Sequence, residues 1–335
     1  KNKYFSKYNK RLYGVAVSSG TGALEIALKS FNLNRGDEII IPTFSIISTA
    51  LCVVKLGLKP ILVDSDLTTW NMDPSLVEAA ITDKTKAIVP VNLFGQCCDM
   101  APILALAKKH ALFVVEDNAQ AIGARYLFPD GTVKAAGALG DIGCTSFYPS
   151  KNLGAYGDGG AIYTDNDELA AKLRTVANHG QNRRYYHDEV GVNSRLDSIQ
   201  AAILNVKLKY LDKYNKRRQE AANHYNAAFE NIDQIEVPFI ESDIDSHVYH
   251  QYTLKIMNGK RDELADHLLK NNIPFGIYYP LGFHEQKAYK QEFVSDNDFP
   301  VTNKVKNQVI SLPMHTELSK KQIKFISNTI ISFFE

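Results

Sequence analysis

Seven short apolar runs, at positions 12–17, 38–41, 59–63, 87–91, 112–115, 144–147 and 161–164, alternate with stretches patterned as helices. Successive strands separated by helices pair in parallel, because the crossover carries the chain back to the starting edge of the sheet. The expected architecture is therefore α/β, a mainly parallel sheet with helices packed on it. Residues 74–81 read as one such helix, with Asp73 as N-cap and Pro74 at the first helical position, and 100–110 as another. From 196 to 231 the chain holds no Gly or Pro and reads as a long helix leading out of the sheet region. Beyond it, a strand-like run at 248–256 and a helix-like run at 260–271 imply a smaller α+β lobe. With 335 residues there is length for two lobes, expected as a large domain over 1–210 and a small C-terminal domain over 211–335.

Open α/β sheets bind ligands at the carboxyl ends of their strands, and three strand ends carry chemistry. Lys151 follows the run 144–147 and precedes a glycine-rich turn. An ammonium among Phe147, Tyr148 and Pro149 is partly desolvated, which lowers its pKa and leaves an amine able to attack an aldehyde. Pyridoxal phosphate is the aldehyde that suits such a lysine; the competing reading is an ordinary surface lysine. The strand 12–17 breaks at Ser18 and Ser19 and continues into a helical pattern from Gly20. N–H groups at that helix start, with the hydroxyls of Ser19 and Thr21, suit a phosphate. This is neither a dinucleotide fingerprint, because Glu25 stands where the third glycine belongs, nor a P-loop. The run 112–115 leads into Glu116, Asp117 and Gln120, where a ligand-binding carboxylate belongs; a helix cap is the alternative.

The formal net charge of +1 gives no electrostatic argument for nucleic acid or another polyanion. Cys52, Cys97, Cys98 and Cys144 show neither Cys-x-x-Cys nor secreted-domain spacing, so reduced thiols in a cytoplasmic protein are expected. No apolar run approaches the ~20 residues of a membrane span, and no signal peptide is recognisable. No metal-ligand spacing stands out.

Taken in order, the segments SGTGAL (19–24), GDEIIIP (36–42), VDSD (63–66), NMDP (71–74), LFGQ (93–96), EDNAQ (116–120), SFYPSK (146–151) and GVNSRLD (191–197) resemble one family across nearly the whole chain. It is the DegT/DnrJ/EryC1/StrS family of nucleotide-sugar aminotransferases, pyridoxal-phosphate enzymes of fold type I. The resemblance implies that Lys151 carries pyridoxal 5′-phosphate as a Schiff base and that Asp117 faces the pyridine nitrogen. It implies that Gln120 contacts the ring hydroxyl and that Gly20, Thr21 and Ser146 cradle the phosphate. Asn193 falls on an asparagine that reaches the partner subunit's cofactor phosphate, which implies a homodimer with shared sites. Where many relatives stack an aromatic residue on the ring, this chain has Ile46, with Phe44 the only nearby candidate to replace it. Relatives also carry an N-terminal segment ahead of the position where this chain begins, at Lys1.

The implied reaction is transamination with L-glutamate as donor. The segments around 179–187, 193–203, 278–286 and 311–315 look most like the branch that aminates C3 of a 3-keto sugar. UDP-2-acetamido-2-deoxy-3-keto-glucuronate is the first expectation, a dTDP-3-keto-6-deoxyhexose the second, in surface polysaccharide or O-antigen sugar biosynthesis. Arg195 suits a carboxylate or diphosphate because a guanidinium binds either bidentately, and Tyr279 and His284 complete the expected substrate contacts. An interdomain ion pair for Arg195, and lobe packing for the other two, are the competing readings. A C4 aminotransferase would share every cofactor residue, and a non-enzymatic regulator on this fold is expected to lack Lys151 or Asp117; both are present.

Overall fold

The computed structural model describes residues 6–242, 245–289, 291–292 and 298–335. Its central feature is a seven-stranded sheet of β1 (Tyr13–Val17), β2 (Glu38–Pro42), β3 (Lys59–Val63), β4 (Thr85–Ile88), β5 (Phe113–Asp117), β8 (Ile142–Ser146) and β9 (Gly160–Thr164), in the order β1-β9-β8-β5-β4-β2-β3. Between β5 and β8 lies a hairpin of β6 (Arg125–Leu127) and β7 (Val133–Ala135). β3, β2, β4, β5 and β8 pair in parallel, while β9 runs against both β8 and β1. The reversal has a simple cause. The segment from 147 to 159 contains turns and no helix, so the chain has no crossover with which to return to the same edge and comes back antiparallel.

Helices cover both faces. In β2, Ile39 and Ile41 pack into one core with Leu24, Leu28, Val53 and Leu173, whereas Ile40 packs on the other side with Ile88, Met100, Ile103 and Val114. This two-sided burial makes the strand a continuous apolar run rather than an alternating one. The first face is covered by α1 (Gly20–Ser30), α2 (Ser48–Lys55) and α4 (Asp167–Ala177), the second by α3 (Met100–His110). α3 has the expected bounds. At 74–81 the expected helix is shorter, an α-turn over Pro74–Val77 followed by a 3₁₀ turn over Glu78–Ala80, with Asp73 accepting from the Ser75 N–H as N-cap.

The expected long helix at 196–231 is two helices, α5 (Ser198–Lys207) and α6 (Leu211–Phe229), separated by a 3₁₀ turn at Leu208–Tyr210. A second, antiparallel sheet follows, with β13 (Tyr252–Ile256) between β12 (Ile235–Glu236) and β14 (Val309–Leu312). It packs against α6, α7 (Arg261–Lys270) and α8 (Lys320–Phe334) through Tyr225, Leu264, Leu268, Ile326 and Ile330. A small hairpin, β10 (Gln181–Arg183) with β11 (Tyr186–His187), projects before α5. Among the described residues, no helix is long and apolar enough to cross a membrane, and no group of three or more His, Cys, Asp or Glu is arranged to hold a metal ion.

Candidate active site

The ends of β1, β5 and β8 meet around a cavity of about 330 Å³ lined by Gly20, Thr21, Ile46, Asp117, Ser146 and Lys151, among others. A larger cavity, about 530 Å³, opens between α6 and the β6–β7 hairpin, but none of these residues lines it.

Ser19 caps α1 from an extended backbone, and its Oγ accepts from the Gly22 N–H at 3.0 Å. That bond satisfies one of the four N–H groups every helix start leaves open, and the others face outward with the positive end of the helix dipole. Gly20 is a steric requirement here: a Cβ at this position would come within 2.7 Å of Ser146 Cβ. Its absence lets the α1 start and the β8 end close into one polar cradle, to which Thr21 adds a hydroxyl now donating to Ser48 Oγ at 2.9 Å.

The two acids at the end of β5 point to opposite faces of the sheet, as period-2 alternation requires. Glu116 accepts three backbone N–H bonds, from Gly137, Leu139 and Gly140, and anchors the loop before β8. Asp117 turns the other way. It is buried, with Thr49 Oγ1 donating to Oδ2 at 2.9 Å and the Ala119 N–H to Oδ1 at 3.2 Å. Burial raises its carboxyl above the usual range, against the Thr49 and Ala119 bonds and the charge of Lys151. Neither acid caps a helix, since no helix follows β5 directly. A carboxylate this deep, offset only in part by the charge of Lys151, calls for a closer cationic partner, and a protonated pyridine nitrogen would supply one.

Lys151 sits on the turn after β8, its N–H bonded to the Tyr148 carbonyl. Desolvation lowers its pKa from the usual 10.5 to about 8, with Asp117 opposing the shift. The sign matters for chemistry: an ordinary lysine is almost wholly protonated at pH 8, whereas here about half the amines are neutral and nucleophilic. The buried carboxylate, the glycine-dependent cradle and the half-neutral lysine match the three ends of pyridoxal phosphate, so the residues present fit that cofactor.

The other expected residues are placed as follows. Ile46 lines the cavity and is 37% exposed. Phe44 lies behind it, wholly buried and edge-on to Phe94 and Tyr279, so the apolar wall is Ile46 itself. Gln120 is buried, its Oε1 accepting from the Phe94 N–H and its Nε2 donating to Tyr279 Oη at 2.9 Å. Tyr279 lines the cavity in a left-handed backbone conformation (φ +62°), stacked on Phe94, and burial raises its phenol pKa. His284 bonds Thr43 Oγ1 through Nδ1 and packs on Phe299, outside the cavity lining. Asn193 and Arg195 are exposed, flanking Ser194, whose Oγ accepts from the Ser18 N–H beside the start of α1. Within one chain neither reaches the cavity lining. Among the lining or supporting residues without a counterpart in the sequence analysis are Thr49, which carries Asp117, and His250 and Gln251, which enter from the segment before β13.

Comparison with known proteins agrees with this geometry. The model of the DegT/DnrJ/EryC1/StrS aminotransferase family matches residues 2–331. The chain is 45% identical over 314 residues to the UDP-2-acetamido-2-deoxy-3-oxo-D-glucuronate aminotransferase of Pseudomonas aeruginosa, covering 94% of this chain and 84% of that one. It is 43% identical over 328 residues to a pleiotropic regulatory protein of Geobacillus stearothermophilus, covering 98% and 86%. Among solved structures, DesV of S. venezuelae in complex with a ketimine intermediate superposes with a TM-score of 0.94 at 37% identity, covering 100% of this chain and 88% of that one.

Proposed function

The chain belongs to the DegT/DnrJ/EryC1/StrS aminotransferase family and is a pyridoxal-phosphate-dependent transaminase acting on nucleotide-linked keto sugars, and we propose that it aminates C3 of UDP-2-acetamido-2-deoxy-3-keto-glucuronate with L-glutamate as donor. The observation that carries this reading is the cavity in which Lys151, desolvated on the turn after β8, and the buried Asp117 share the wall with the α1 start; the relatives' activities point it to 3-keto sugars. A dTDP-linked 3-keto-6-deoxyhexose is the second acceptor to test. Two relatives carry regulatory names, but a regulator has no need of this lysine and acid together.

Bound at this site, pyridoxal phosphate supplies an aldehyde that holds the amino group and a pyridinium ring that absorbs an electron pair. The protein's part is positional and acid–base. Asp117, fixed by Thr49 and Ala119, keeps the pyridine nitrogen protonated. The α1 start, Thr21 and Ser146 would hold the phosphate, Gln120, beside the cavity and bonded to Tyr279, would contact the ring hydroxyl, and Ile46 would cover the ring. Lys151 Nζ removes the α-proton of glutamate as general base and later returns a proton to C3 of the sugar. Arg195, Tyr279 and His284 are proposed for substrate, with Arg195 aimed at the uronate or diphosphate. The proposed setting is a cytoplasmic route to surface polysaccharide, O-antigen or lipopolysaccharide sugars; four buried free cysteines are consistent with a reducing compartment.

Titrating the amino form of the enzyme with a panel of UDP- and dTDP-linked 3-keto and 4-keto sugars tests the acceptor. The UDP-3-keto-uronate should discharge the pyridoxamine absorption within one turnover and yield a 3-amino product. Rapid discharge by 4-keto sugars alone would replace this proposal with C4 amination.

We further place Asn193 and Arg195 in the site of a second copy, making a homodimer with shared sites and two lobes divided near residue 210. In support, both side chains are exposed, and Tyr156, Val190, Ile199 and Val206 leave apolar surface uncovered in the same region of chain. Lys151→Ala subunits and Asn193→Asp subunits should each be inactive alone, the second because a carboxylate there repels the cofactor phosphate. Unfolded together and reassembled, they should regain activity, since each heterodimer has one intact and one doubly damaged site. Heterodimers that form but remain inactive would return Asn193 to a role within its own chain.

A further inference from the structure

His250 approaches Lys151 from the far side of the cavity, its Nε2 3.5 Å from Lys151 Nζ. The backbone around it is fixed from two directions. The N–H groups of Val248 and Gln251 donate to the carbonyls of Gly95 and Phe94 at 2.9 and 3.1 Å. Arg218, on α6, donates from one guanidinium nitrogen to the carbonyls of Tyr249 and His250 at 3.0 and 3.2 Å. Tyr249 takes a left-handed conformation (φ +45°) that turns the next residue toward the cavity. Gly95 has no side chain to prevent the approach: a Cβ there would come within 2.7 Å of the main-chain nitrogen of His250.

The ring is buried, and its Nδ1 has no hydrogen-bond partner among the described residues. The charged groups acting on the ring are Lys151 and Arg218, both cations, with Asp117 beyond Lys151 and Asp158, Tyr278 and Tyr279 also lining the cavity. Burial first, then the two cations, hold the imidazole neutral. A neutral imidazole has one protonated nitrogen and one lone pair. With the proton on Nδ1, the lone pair on Nε2 faces Lys151.

We propose that His250 is a positioning residue for Lys151: its Nε2 accepts a hydrogen bond from Nζ and fixes the direction in which the amine meets the reacting carbon. Lys151 gains a proton from the donor's α-carbon and gives one up at the sugar carbon; His250 exchanges none. A hydrogen bond to an ammonium is stronger than one to a neutral amine, so the contact tightens when Lys151 holds the proton and stabilises that state against its own desolvation. The role deepens the aminotransferase reading, but it can be tested without turnover.

The test uses the cofactor-free full chain. Competitive acetylation across a pH series, read by mass spectrometry on the Lys151 peptide, gives the titration midpoint of that amine. Wild type should titrate near 8. His250→Leu, which removes the acceptor, should titrate about one pH unit lower, the roughly tenfold effect of a hydrogen bond to a charged group. His250→Gln, which offers an amide oxygen, should stay close to wild type. In the loaded enzyme the acidic limb of the kcat profile should move in the same sense, with KM for the donor unchanged. An unchanged or raised midpoint in His250→Leu overturns the proposal. Should that variant fail to fold, ¹⁵N-histidine NMR of the wild type decides: a bare, accepting Nε2 upholds the assignment, and a protonated Nε2 overturns it. These readings do not depend on any sugar, so failure to find an acceptor would damage the functional proposal and leave this one standing.

Discussion

Lys151→Ala should fold, bind pyridoxal phosphate without covalent attachment, and lose essentially all transamination. Proton transfer by a positioned base contributes about 10²–10⁴ in rate, and the substitution also removes the group that attaches the cofactor. The fold should tolerate the change, because the position is held by a backbone bond from its own N–H to the Tyr148 carbonyl, which alanine keeps. Thermal stability of the cofactor-free protein below pH 8 should not fall. A desolvated amine with a lowered pKa opposes folding wherever the unfolded lysine is charged, an opposition that is complete below about 8 and fades as pH rises toward 10.5. Small primary amines, added to fill the space left by the side chain, should restore part of the activity. Activity above one hundredth of wild type without added amine would show that another group moves the proton.

Asp117→Asn should retain the cofactor and lose about 10²–10³ in rate, the scale of a missing preorganised charge in a buried site. Asparagine has nearly the same shape: its Oδ1 can still accept from the Ala119 N–H, and the Thr49 hydroxyl can rotate to accept from Nδ2, so the wall of the cavity should not change. What changes is charge: a neutral amide no longer holds a proton on the pyridine nitrogen. Chemical denaturation should show little loss of stability, and even a gain, since burial already disfavours the ionised carboxylate. The loss should therefore appear in kcat with stability intact. A variant within about twofold of wild type would remove Asp117 from the chemistry and leave it a structural partner of Thr49.

Much of this site was legible because strand ends are readable. β5 ends where apolar residues give way to Glu116 and Asp117, and β8 ends four residues before the Ser150–Lys151 turn. Alternation then separates the two acids, sending Glu116 to the loop at 137–140 and Asp117 to the cavity. What sequence left hidden was mostly non-local. The contact between His250 and Lys151 spans 99 residues, and that between Gln120 and Tyr279 spans 159, so neither has a local signature. The break at Leu208–Tyr210 leaves no trace because it uses neither Gly nor Pro. The direction of β9 follows from an absence, the missing helix between 147 and 159, which is easily read as a loop on the way to another parallel strand. The β6–β7 hairpin does carry a local signal: Pro129, Asp130 and Gly131 form a turn in which Asp130 accepts from the Thr132 N–H and Gly131 takes φ +84°. At β4 the strand was expected at 87–91, and pairing runs instead over Thr85–Ile88, because the carbonyl of Pro90 turns to Asp117 and Val89 remains tied to β2 only by a single bond.

One lysine among the many in this chain is assigned as the cofactor's anchor, by its strand-end position and its desolvation. Reconstituting the protein with pyridoxal phosphate, reducing it with borohydride and mapping the modified peptide tests that directly. A single stable adduct should form on Lys151, faster as pH rises through about 8. An adduct on any other lysine, or reduction that leaves Lys151 unmodified while activity is lost, would contradict it.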